Sequence, residues 1–232
     1  MHLVTNFSWR RVVLAVSAVL MMAGCTTMGG SPGDSDVGSA SAKLDRLQVE
    51  PVRVTAPGYD RSCRKNHACV FGPAWSDDVD VAGGHDGCST RDGILKSQLK
   101  QVHVRAGTHG CVVVEGDLVD PYTGDQVHFT KSAADQVEID HVFPLAASWD
   151  FGASGWTLQQ RRNFANDPRN LLATSEAVNR AKSDKTPSGW SPPTSRGRCT
   201  YAQVYVDVAD TYRLAVTTAD RRALRAMLRD CS

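Results

Sequence analysis

No H-E-x-x-H and no C-x-x-C occurs anywhere in the chain. The first absence leaves a zinc metallopeptidase without its paired ligands and base, and the second removes the cysteine spacing of a zinc ribbon. There is no internal repeat and no signal of a second domain, so 232 residues read as one sizeable domain with a tail. An excess of one charge is missing too. The net charge is +1, and without the leader, which holds Arg10 and Arg11, 24 basic residues face 25 acidic ones. Global charge therefore gives no pointer to a polyanionic partner. Long apolar runs are also scarce. The one present, VVLAVSAVLMMAG over residues 12–24, is too short to span a bilayer comfortably as a permanent helix.

That run follows Arg10-Arg11 and ends in Met22-Ala23-Gly24-Cys25, the flanks of an export signal, so residues 1–24 are expected to be a signal peptide of the lipoprotein type. Small residues before a cysteine resemble a bacterial lipobox, with Met22 where Leu is usual. Cys25 is then the lipidated first residue; an ordinary signal peptide cleaved nearby is the other reading. The stretch TTMGGSPGDSDVGSASA is rich in Gly, Ser, Thr and Asp and nearly free of large apolar residues. It buries too little to offset its ordering entropy, so residues 25–57 are expected to be a flexible tether, with 44–57 left open between tether and domain. Residues 58–232 remain as the folded domain.

Seven cysteines less Cys25 leave six, an even number in an exported chain, which reads as three disulfides with fifteen possible pairings. Proximity favours Cys63–Cys69, and Cys199–Cys231 would tie the ends of two C-terminal helices. Cys88–Cys111 is what remains.

The spacing predicts a helix from Thr90 carrying Ile94, Leu95 and Leu99, and strands over Cys111–Glu115 and Gln126–Thr130 around the turn Asp120-Pro121-Tyr122-Thr123-Gly124. A third strand, Val137–Asp140, delivers His141, and Pro144 opens a short helix. Thr157 is a helix cap, Leu171–Thr174 an apolar segment, and Ser175 the cap of a helix bearing Asn179 and Lys182 on one face. Two amphipathic helices end the chain, the second opened by a Thr217-x-x-Asp220 capping box. Residues 161–198 carry eight Lys and Arg against three acids, a local basic face that suits phosphates and also fits a plain solvated surface.

The segments TRDGIL, DPYTG, IDHVFPLAASW, FANDPRNLLATS and NRAKSDKTPSGWSPP, in that order, resemble the HNH (His-Me finger) endonuclease superfamily. Within it the similarity is to small secreted nucleases related to the C-terminal domain of GmrSD-type restriction enzymes, and it covers roughly residues 60–231. The resemblance implies an α+β fold, a ββα-metal core with flanking helices, here disulfide-stapled. It implies His141 as the general base, Asn170 as the residue that fixes the loop around it, and Asp140 and Asn179 as ligands of one divalent ion. Oxygen ligands suit Mg²⁺ first and Mn²⁺ second. Asn179 stands where the family often has a histidine, making this an H-N-N variant. Arg91, Arg180 and Lys182 are the candidates for phosphate contact. Glu138 shares a strand face with Asp140 and is given no role. The implied function is an exported, monomeric, metal-dependent endonuclease on DNA, with RNA as a second candidate substrate. It would be anchored to the membrane only through lipid. A non-catalytic envelope lipoprotein using the same scaffold to bind a partner or nucleic acid is the competing reading, and the intact Asp140-His141 pair argues against it.

Overall fold

Val137 and Ile139 alternate with Glu138 and Asp140, so a strand here must present an apolar face and an acidic face. In the computed structural model, which describes residues 1–2 and 32–231, Val137–His141 is a strand (β5) paired antiparallel with Leu171–Ser175 (β6). Glu138 lies opposite Thr174 and His141 opposite Leu171. Helix α5, Glu176–Lys182, follows β6 without a break and packs on both strands. Strand, strand and helix thus form one unit, with helices α3 (Leu145–Asp150) and α4 (Leu158–Asn166) inserted between the strands.

Val137, Ile139, Leu171 and Ala173 bury against Ile94 and Leu95 of helix α2 (Thr90–Gln98) and Phe129. Gln98 holds the outer edge of β6: its Nε2 donates to the Leu171 carbonyl at 2.9 Å, and its Oε1 accepts from the Ala173 amide at 2.7 Å. An edge strand that would otherwise expose unpaired backbone groups is closed by one side chain.

Strands β2 (Lys100–Val104), β3 (Val113–Val119) and β4 (Gln126–Thr130) form an antiparallel sheet. The sequence pattern missed β2, whose residues are mostly exposed and so lack a strong alternation. Asp120, in the turn between β3 and β4, is buried and accepts from the Ser175 amide and the Thr174 hydroxyl, both at 2.8 Å. The turn is therefore clasped to the β6–α5 junction. Helix α2 starts at Thr90 as expected, and Ser89 caps it: its hydroxyl accepts from the Asp92 amide and donates to the Asp92 carboxylate.

A second core gathers around α6 (Ser195–Tyr212) and α7 (Thr218–Leu228), where Tyr201, Tyr205, Val208, Leu224 and Leu228 are buried. The expected capping box forms at Thr217/Asp220, and Thr157, expected as a cap, makes a full box with Gln160. All three disulfides form as paired above, with Cα separations of 4.4, 5.1 and 4.9 Å.

The chain divides into two units, Met1–Gly30 and Ser31–Ser232. The expected signal peptide from residue 3 onward, Cys25 and the start of the expected tether lie outside the described residues. From Pro32 onward the tether expectation is corrected. Pro32–Arg46 is a helix (α1), and its Ala40 and Leu44, with Leu47 after it, are buried in the α6–α7 core. Arg46 pairs with Asp210 at 2.6 Å, Lys43 pairs with Asp207, and Val49–Glu50 (β1) lies parallel to Val216–Thr217 (β7). The segment is poor in apolar residues, but Ala40, Leu44 and Leu47 fall at helical spacing on one face, and burying each leucine contributes about 1.5–3 kcal/mol.

Candidate active site

Asp140 points away from the Ile139 side of β5 and is closed to solvent, 3% exposed. Its Oδ1 accepts from Lys182 Nζ at 2.7 Å and its Oδ2 from the Tyr122 hydroxyl at 2.7 Å. Tyr122 belongs to the clasped turn and packs edge-on against Trp190 and Tyr201. Burial, then the neighbouring Asp140 carboxylate, push its phenol well above the ordinary value, so it stays a donor. Lys182 is 0% exposed and also donates to the His141 carbonyl at 2.8 Å. The expectation that Lys182 meets substrate phosphate is therefore corrected: it is the buried counter-ion of Asp140. A buried ammonium needs a carboxylate and further acceptors to offset its desolvation, and Asp140 with the His141 carbonyl supply both.

His141 follows on the strand with its ring half-buried. Nε2 lies 2.8 Å from the Ala165 carbonyl, which can only accept, so the proton sits on Nε2 and Nδ1 keeps its lone pair. Trp75 stacks on the ring, with centroids 5.7 Å apart and planes 11° from parallel. Burial pushes the imidazole down to about 4, against the upward pull of the Ala165 hydrogen bond and Asp140, so it is neutral at pH 7.

Asn170 is fully buried beneath the loop after His141. Its Oδ1 accepts from the Phe143 amide at 2.7 Å and its Nδ2 donates to the Phe143 carbonyl at 3.1 Å. Its own carbonyl accepts from Val142. It does not reach the cavity; it fixes the backbone that carries the histidine.

A cavity of about 340 Å³ brings Asp140, His141, Asn179 and Arg180 together, with Glu138 on the same wall. Asn179 Nδ2 donates to Glu138 Oε2 at 2.7 Å, which orients the amide and leaves its oxygen as acceptor. Arg180 is 73% exposed and pairs with Glu176 one turn earlier. Arg91 lies on an adjoining cavity of about 430 Å³, shared with Glu138 and Asn179. Its guanidinium donates to the carbonyls of Ala134 and Val137 at 2.9 and 2.8 Å, so much of its hydrogen-bonding capacity is spent on the backbone leading into β5.

Three residues at the site went unassigned in the sequence: Tyr59, Arg61 and Trp75, which line the His141 cavity from a segment stapled by Cys63–Cys69. Nothing in their local pattern marks them, since their partners lie across the fold. Among the described residues no group of three or more His, Cys, Asp or Glu could hold a metal, and the six cysteines are all in disulfides.

Fold and site together define a disulfide-stapled α+β domain with a neutral histidine and oxygen donors at the end of a strand–strand–helix unit. Residues 89–227 match the family described as GmrSD restriction endonucleases, C-terminal domain, and the chain belongs to that family. It is 34% identical over 218 residues to an uncharacterized secreted protein of Arthroderma benhamiae, covering 93% of this chain and 96% of the relative. No solved structure matches.

Proposed function

We propose that this chain is an exported metal-dependent endonuclease that hydrolyses phosphodiester bonds, DNA first and RNA second, with His141 as general base. The observation that carries the reading is the Nε2–H of His141 held on the Ala165 carbonyl, with Nδ1 unprotonated at neutral pH. Nδ1 takes a proton from water as the oxygen attacks phosphorus; the bond from phosphorus to the leaving oxygen breaks with its electron pair on that oxygen, which takes a proton from solvent water. Asn170 and the Trp75 ring keep the imidazole in place, and Arg180 contacts the phosphate. Arg91 is a further candidate for that contact from the adjoining cavity.

The donors fit a hard divalent ion, Mg²⁺ before Mn²⁺. Glu138, Asp140 and Asn179 offer only oxygens, and the Asn179 amide is already turned so that its oxygen is the remaining acceptor. Asp140 already bonds Lys182 and Tyr122, so Glu138 joins Asp140 and Asn179 as the residues that would hold the ion. When bound, it supplies positive charge to the phosphate and the leaving oxygen.

Export draws on the leader motif, on three disulfides and on similarity to a protein named as secreted. Among the described residues no helix is long and apolar enough to cross a membrane. Attachment through a lipid on Cys25 and a monomeric state belong to the same proposal. One observation favours the second reading, a non-catalytic scaffold that binds a partner or nucleic acid: both oxygens of Asp140 are already bonded within the protein.

The test is nicking of supercoiled plasmid by the chain without its leader and Cys25, residues 26–232, in Mg²⁺, in EDTA, and as His141→Ala. Cleavage in the first condition alone is expected. No cleavage of DNA or RNA with Mg²⁺, Mn²⁺ or Ca²⁺ would transfer the reading to the scaffold.

A further inference from the structure

A smaller cavity of about 160 Å³ adjoins the His141 cavity, and Arg61, Trp75, His141 and Leu145 line both. Its other walls include Phe71, Pro73 and Asn166. An apolar cavity of about 150 Å³ is known to take up a benzene-sized ring, so this slot has the size and walls for one planar ring system. Asn166 is almost fully buried; its Nδ2 donates to the Arg162 carbonyl at 2.9 Å, while its Oδ1 has no hydrogen-bond partner among the described residues.

The segment that builds the slot is fixed in place. Asp60 accepts from the amides of Ser62 and Ala68 at 3.1 and 3.0 Å, and the Cys63–Cys69 bridge closes the loop between them. The Trp75 carbonyl accepts from the Thr90 amide at 3.2 Å, at the start of α2. Residues 61–75 precede the family-matched stretch 89–227, so the slot is largely built by a part of the chain outside it.

We propose that this slot takes a nucleobase of single-stranded nucleic acid next to the scissile phosphodiester. Its ring packs among Phe71, Pro73 and Trp75. Arg61, exposed on the wall common to both cavities, meets the backbone phosphate between base and bond. The proposal rests on the phosphodiesterase reading above and adds substrate form to it. A duplex keeps its bases paired and stacked, whereas a single strand presents them freely, so single strands are preferred.

The test is fluorescence anisotropy with the same chain, residues 26–232, in EDTA, where binding is read without turnover. The probes are a short labelled single strand, the same strand with each base in turn replaced by an abasic site, and its duplex. One abasic position is expected to weaken binding about tenfold, in line with loss of one base–aromatic stack. Ala74→Trp, which narrows the slot from an exposed position, is expected to weaken the intact strand similarly and to erase the abasic effect. The proposal is overturned if the single strand does not bind, if every abasic strand binds like the intact one, or if duplex binds equally well. Base-dependent binding by a chain that cuts nothing overturns the catalytic reading alone; cutting without base dependence overturns the slot alone.

Discussion

Lys182 Nζ lies 2.7 Å from Asp140 Oδ1, with both side chains closed to solvent, and the same ammonium holds the His141 carbonyl. The pair joins α5 to β5 directly behind the candidate base. Removing one partner leaves a buried charge unpaired, so Lys182→Met is expected to cost about 3–5 kcal/mol in urea unfolding. Adding Asp140→Asn should restore part of that loss. A Lys182→Met chain as stable as the native one would mean that the lysine is a surface cation after all.

Asn170 satisfies both backbone groups of Phe143. Asn170→Ala orphans a buried amide and carbonyl at about 1–3 kcal/mol each. Because the loop carries His141, kcat should fall while KM holds. Asn170→Asp keeps the acceptor for the Phe143 amide and should lie between the two. An unchanged kcat would remove Asn170 from the positioning role.

His141 gives the stability a pH dependence with a definite sign. Burial lowers its pKa from the ordinary 6.5 to about 4 in the folded chain. Between those values the unfolded chain binds a proton that the native chain refuses. The contribution is therefore full above pH 6.5 and is lost as pH falls towards 4. Urea midpoints at pH 7.5 and 4.5 in EDTA should drop further for the native chain than for His141→Asn. Equal drops would place the imidazole in an ordinary solvated setting.

Cys199 and Cys231 are 32 residues apart and tie the first turn of α6 to the residues after α7. Replacing both by alanine lengthens the free unfolded chain and is expected to cost about 3–4 kcal/mol by the loop-entropy relation. Calorimetry of the double variant checks this, and a melting temperature equal to that of the native chain would show the bridge to be dispensable.

What the sequence determined by itself was local. The alternation in Val137–His141, the Thr157 cap and the Thr217/Asp220 capping box, the proximal cysteine pairing and the ordered His141, Asn170 and Asn179 signals all rest on residues close in the chain or on motif order. Tertiary structure alone decided where side chains of ambiguous chemistry end. Lysine is almost never fully buried, so Lys182 in the last turn of a helix reads as a solvated cation until Asp140 and the His141 carbonyl are seen to enclose its ammonium. The Ser- and Gly-rich segment before Leu47 reads as a tether until α6 and α7 present an apolar face to Ala40 and Leu44. Trp75 and Arg61 reach the His141 cavity only because Cys63–Cys69 and the Trp75–Thr90 hydrogen bond fold their segment onto it. A helix or a cap is stabilised within a few residues of itself, whereas burying a charge or stacking a ring requires a partner from a distant part of the chain.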